Sequence, residues 1–165
     1  MRQRHGLGML LMACALLAFA GGRAWGVQGD IVATGDWSGT IGTSDLTGGA
    51  GTDLNSIYTS DSDQVSITIS NTADDWDFWR VDVRKSDTTW DDDLVVSVMR
   101  TSSGTGAGGI SGGTSYVAAG ALDTEFFRGR GDRSNILAKL RLSGVSVQVP
   151  PNTYSTSIVF TVVDT

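Results

Sequence analysis

The residues able to do chemistry are unevenly supplied. The 165-residue chain has one cysteine, Cys14, and one histidine, His5, both inside an N-terminal stretch that reads MRQRHGLGMLLMACALLAFAGGRAWG. Arg2 and Arg4 precede an apolar run from Leu7 to Ala20, and small residues follow. That is the layout of a secretory signal peptide, with cleavage expected after Gly26 and Ala20 as the rival site. On that reading the working chain, residues 27–165, has no thiolate nucleophile, imidazole base or disulfide, and no ordinary zinc site. No Ser-x-x-Lys occurs, and Lys85 and Lys139 are the only lysines. What is left is a large stock of carboxylates, so the sequence predicts a protein that is not an enzyme and has no catalytic residue.

The carboxylates raise one cofactor question, calcium. Asp74, Asp75 and Asp77 form one group and Asp91, Asp92 and Asp93 another. Clustered carboxylates can gather oxygens around a hard cation, although neither group has the spacing or the glycine of an EF-hand loop. Aspartate also caps turns by accepting from nearby backbone N–H groups, and that is its ordinary work in a β-rich chain. Seventeen of the eighteen acids are aspartate, the exception being Glu125.

The sharpest surface candidate is Trp76, Phe78 and Arg80. Trp79, Val81 and Val83 alternate with Phe78, Arg80 and Asp82, so one strand sends Trp79 into a core and the other set to the opposite face. Aromatics on an outer face can stack on sugar rings or anchor a protein partner. Large apolar groups are more often covered, and a second layer or long loop over them is the ordinary expectation. Arg130-Gly131-Asp132 spells a tripeptide read by integrins, but such short matches are common in Arg- and Gly-rich turns.

These residues need a scaffold, and two-residue alternation supplies it. Val65, Ile67 and Ile69 mark one strand; Leu94, Val96 and Val98 a second; Ile136, Ala138, Leu140 and Leu142 a third; Ile158, Phe160 and Val162 a last one. Ser102 to Gly113 reads as a flexible glycine-rich loop, because no helix pattern or lysine follows to make it a phosphate cradle. No window after the leader shows sustained helical periodicity. The expected fold is all-β, an immunoglobulin-like antiparallel β-sandwich of about eight to ten strands, as one domain over 27–165 after a leader over 1–26. Val145, Val147 and Val149 are expected to form a hairpin with the last strand. Tyr154, just past the turn, should bury its ring and send its hydroxyl to nearby backbone.

Charge narrows the partners. The formal net charge is −6; removal of Arg2, Arg4 and Arg23 with the leader, while every acid stays, takes it to −9. An acidic surface disfavours nucleic acid and anionic membrane. No stretch after the leader is long and apolar enough for a helical membrane span.

The C-terminal stretch GVSVQVPPNTYSTSIVFTVVDT resembles the end of spore coat U-type and fimbrial pilin-like secreted β-sandwich domains. In those families a Pro-x-Gly-Thr-Tyr turn leads into an alternating last strand; here it is Pro150-Pro151-Asn152-Thr153-Tyr154, with Asn152 in place of glycine. The paired cysteines usual in those families are absent. The resemblance implies a surface-appendage or coat-like secreted β-sandwich, a structural or adhesive protein at the cell surface or otherwise outside the cytoplasm. Independently of it, a disulfide-free, acidic sandwich with β-rich ends can self-assemble when one copy's extended segment adds a strand to the next. Val27 to Ile41 is a candidate donor segment, although the ordinary expectation is that it is the first strand of its own sheet. The alternative is an extracellular module that binds carbohydrate or calcium.

Overall fold

In a computed structural model of the chain, residues 9–12 and 29–165 are described. Cys14, His5 and the Gly26 cleavage site lie outside them.

The described chain is all-β apart from one short 3-10 turn, Thr43–Asp45. Its strands are β1 Met9–Met12, β2 Asp30–Thr34, β3 Trp37–Thr40, β4 Ile57–Thr59, β5 Val65–Ser70, β6 Phe78–Thr89, β7 Val95–Arg100, β8 Ile110–Gly112, β9 Val117–Ala118, β10 Thr124–Arg130, β11 Arg133–Ser143 and β12 Ser155–Asp164. Two antiparallel sheets dominate. One has the order β12-β6-β10-β8. The other runs β2-β5-β11-β7-β9, with β4 paired to the far end of β11. β1 pairs with β3, Met12 opposite Trp37, and also runs close to β12.

The alternation read in the sequence explains why the two sheets share one core. Val65, Ile67 and Ile69 of β5, Val96 and Val98 of β7, and Ile136, Ala138 and Leu140 of β11 come from one sheet. Trp79, Val81 and Val83 of β6, Phe126 and Phe127 of β10, and Ile158 and Phe160 of β12 come from the other. Consecutive residues of a strand normally face opposite ways, so Phe126 and Phe127 cannot both be buried in a regular strand. A bulge between Glu125 and Phe127 in the β10–β6 ladder removes the conflict.

Trp79 is held tightly. Its indole N–H donates to the Gly131 carbonyl at 3.0 Å, and its ring meets Phe127 edge-on. The ring also lies against Gly129, where a Cβ would come within 2.3 Å of it. Only glycine permits that approach.

The C-terminal hairpin does not form. β12 pairs with β6, Thr161 opposite Asp82, and residues 144–153 are an irregular loop. Gly144 sits at φ +85° against the Asp93 carbonyl, and the Val147 N–H donates to the Asp53 carboxylate, so the valine alternation there builds no ladder. Val145 is buried while Val147 is exposed. The Tyr154 hydroxyl donates to the Pro150 carbonyl four residues upstream at 2.5 Å, closing the corner from which β12 leaves.

The glycine-rich loop also differs from the sequence expectation. It contains β8, and its backbone carbonyls are held by two buried arginines, Arg100 and Arg133. The first segment belongs to its own sheet: Asp30–Thr34 pairs with β5, Ile31 opposite Ile69.

Candidate functional site

The outer-face candidates are built on the turn that leads into β6. Asn71 enters it at φ 60°, a left-handed conformation that asparagine tolerates better than most residues. The Thr72 N–H and hydroxyl both donate to one oxygen of Asp132, at 2.9 and 2.7 Å. Asp77 accepts from the Ala73 N–H at 2.8 Å, Asp74 from the Trp76 N–H at 2.7 Å, and the Asp77 carbonyl from the Gly131 N–H at 2.9 Å. The turn is thus tied both to itself and to the β10–β11 connection. Asp132, the acid of the Arg-Gly-Asp triplet, is spent inside this clasp, and the two Thr72 donors hold its carboxyl below the usual carboxylate range.

Held this way, Trp76 is 68 % exposed and Phe78 51 % exposed. No second layer of the described chain covers them, contrary to the ordinary expectation. Between them lies a residue the sequence reading did not assign to this face. Arg130 is the cross-strand partner of Phe78, and its guanidinium carbon lies 3.8 Å from the centre of the Trp76 ring. The neighbouring Gly131–Asp77 pair is the hydrogen-bonded one, so Arg130 and Phe78 form a non-hydrogen-bonded pair, whose side chains approach more closely. Parity could have flagged Arg130, but the bulge in β10 shifts the count.

Arg80 shares the face but is occupied. Its Nε donates to both oxygens of Asp82 at 3.0 and 3.3 Å, and Nη2 adds a 3.2 Å contact. Asp82 is buried, its charge met by Arg80. Arg128 is likewise bidentate to Glu125, at 2.5 and 2.6 Å, which lowers the Glu125 pKa. Among the described residues, Arg130 is in no ion pair.

The two aspartate groups are not brought together. Asp74, Asp75 and Asp77 precede β6 and Asp91, Asp92 and Asp93 follow it, so roughly 35 Å of strand separates them. Asp91 accepts from the Asp93 N–H at 3.0 Å, a turn cap like those of Asp74 and Asp77. Among the described residues no three acidic, histidine or cysteine side chains converge on a common point suited to a metal ion.

At the Asp91 end of the fold lies an apolar cavity of about 170 Å³, lined by Ile41, Leu46, Leu54, Val147, Val149 and Tyr154 among others. Asp53 ties two of the lining segments together by accepting from the Val147 and Leu54 N–H groups at 2.9 and 2.8 Å, and these bonds hold its carboxyl below the usual range. Tyr58 packs against a second apolar cluster formed by Leu94, Leu142, Val145 and Tyr154; desolvation first, then the nearby Asp45 carboxylate, pushes its pKa up to about 12.

No family model, curated protein or solved structure matches the chain. No helix of the described residues is long and apolar enough to cross a membrane.

Proposed function

We propose that the chain is an exported, non-enzymatic structural or adhesive subunit with an immunoglobulin-like sandwich fold, a coat or pilus-like protein that assembles by strand addition. The observation that carries this reading is the edge strand β12. Ten residues long and regular in register from Thr156 onward, with one shift at Ser155/Thr156, it has β6 as its one ladder partner among the described strands, contains no proline, and carries no charge before Asp164. Long uncharged edges of this kind are templates for another strand, and proteins that stay monomeric usually blunt them with lysine, proline or bulges.

Register identifies the groups on offer. The Thr165 N–H donates to the Phe78 carbonyl, so alternate residues back along β12 point their backbone at β6 and those between them point away. Phe160 and Val162 therefore aim N–H and C=O away from β6, and both β1 and β2 come close to β12. β1, part of the expected leader, runs beside both β3 and β12. In this reading export removes it, and a strand from a second copy takes its place. The segment Val27 to Ile41 is not a free donor within one copy, because β2 is paired to β5.

The test is the oligomeric state of residues 27–165 by light scattering and negative-stain imaging over a wide concentration range. Oligomers or filaments are expected. Val162→Pro removes an outward N–H without touching the β6 ladder, and Thr161→Lys adds a charge on the exposed side of the strand; both should reduce assembly and leave the monomer folded. A wild-type chain that stays monomeric at every concentration would overturn the reading.

A further inference from the structure

The outer face of β6 and β10 carries an arrangement that strand addition does not use. Trp76, Arg130 and Phe78 form a continuous platform, aromatic at both ends and cationic in the middle. Three observations bear on its occupant. Trp76 remains 68 % exposed with a guanidinium against its ring, so the other face of the indole is open. Arg80 and Arg128 are each neutralised by a bidentate acid, whereas Arg130 is engaged by the indole and no carboxylate, leaving N–H donors available along its rim. The turn bearing Trp76 is fixed by the Thr72–Asp132, Ala73–Asp77 and Gly131–Asp77 bonds, so presenting the ring to a ligand costs little ordering entropy.

Charge decides between ligand classes. The exposed Asp75 carboxylate flanks the platform beside Gly131, and Asp74 and Asp77 lie in the same turn. The chain as a whole is acidic. A polyanion meets those carboxylates and the negative net charge; a cation meets Arg130. A neutral sugar meets neither penalty. Its C–H face stacks on Trp76 and Phe78, while its hydroxyls accept from Arg130 and donate to Asp75.

We infer that Trp76, Phe78 and Arg130, with Asp75 as acceptor, form a binding site for the pyranose rings of a neutral glycan. The site lies on a sheet face rather than on the β12 edge, so a glycan and a neighbouring subunit can be held together.

The experiment is a titration of the secreted chain with cellohexaose, maltohexaose and the hexamer of N-acetylglucosamine, followed by tryptophan fluorescence and calorimetry, with polygalacturonate as the anionic comparison. At least one neutral oligosaccharide should bind and shift the tryptophan emission. Trp76→Ala should weaken that binding by about tenfold or more, and Arg130→Gln should weaken it less. Arg80→Gln should leave it unchanged, since Arg80 is already committed to Asp82. Thermal melting of each variant establishes that it is folded, and Trp76→Phe, which keeps a stacking ring, should rescue most of the affinity. The inference is overturned if no neutral sugar binds at millimolar concentration, if Trp76→Ala binds as well as the parent, or if polygalacturonate or a protein partner is the preferred occupant of this face. Each of these outcomes is independent of whether the chain forms filaments.

Discussion

Arg100 and Arg133 converge on one residue, Ser103. Nη1 of Arg100 donates to the Ser103 hydroxyl at 3.1 Å, and Nη1 of Arg133 donates to the Ser103 carbonyl at 2.6 Å. Both arginines are only 7 % exposed, and neither is in an ion pair among the described residues. Two buried cations side by side repel, and Arg133, after burial itself, lowers the Arg100 pKa. Backbone carbonyls of the glycine-rich loop replace the missing acids: Ser102 and Gly112 for Arg100, Ser103, Gly104 and Gly106 for Arg133. Glycine makes the approach possible, since a Cβ at position 104 would come within 2.3 Å of the Ser134 carbonyl and one at position 106 within 2.3 Å of the Asp132 carbonyl.

Arg100→Met should therefore loosen residues 102–113 as well as destabilise the fold. Three charge-assisted bonds go, and a loss of about 2–4 kcal/mol is expected from urea unfolding. Hydrogen exchange should rise first in the loop, and unchanged protection there would count against the two arginines as its organisers.

Gly129→Ala should be as costly as a core substitution despite adding one methyl group. The new carbon would press on the Trp79 ring, whose indole N–H is fixed to Gly131, and a penalty of about 1–3 kcal/mol follows from overpacking. Near-ultraviolet circular dichroism would report the displaced tryptophan. The double variant with Trp79→Phe, which relieves the clash, should lose less than the sum of the two singles.

Tyr154→Phe isolates one hydrogen bond. It keeps the buried ring and removes only the donor to Pro150, so about 1–2 kcal/mol should be lost. In the parent protein, burial and then the Asp91 charge raise the phenol pKa above its ordinary value. A raised folded pKa makes this contribution complete below the ordinary phenol value and lost as pH rises through the folded one. Alkaline denaturation curves of the parent and the variant should converge.

Acid acts in the opposite direction through Asp132. Its folded pKa lies below the ordinary 3.8, so its contribution is present above that value and disappears as pH falls through the folded one. Asp132→Asn should lower the melting temperature at neutral pH and flatten part of its fall at acid pH. A variant with the same pH slope as the parent would mean that the clasp with Thr72 is energetically idle. The carboxylate is exposed, so the effect should be small and should shrink in high salt.

The strands and their inward faces were legible because each was written in period two: Val65 to Ile69, Trp79 to Val83, Ile136 to Leu142. Pairing was less legible. Val145, Val147 and Val149 alternate as well as any strand, yet the Val147 N–H goes to the side chain of Asp53, far away in the sequence. The candidate surface was half legible. Strand parity exposed Phe78 and Arg80, but it could not say that Asp82 would consume Arg80 or that Arg130, across a ladder interrupted by a bulge, would stack on Trp76. Arg100 and Arg133 were missed because a buried arginine with carbonyl partners carries no local sequence signature.

The pairing of β12 with β6 also fixes an order of events. Some eighty residues separate Asp82 from Thr161, and β10, the other neighbour of β6, also comes later in the chain. β6 therefore gains its first neighbour only with Thr124–Arg130 and its second only with Ser155–Asp164. Contacts between segments so distant in the sequence form slowly, and a sheet completed by such a contact stays open until its outer strand arrives.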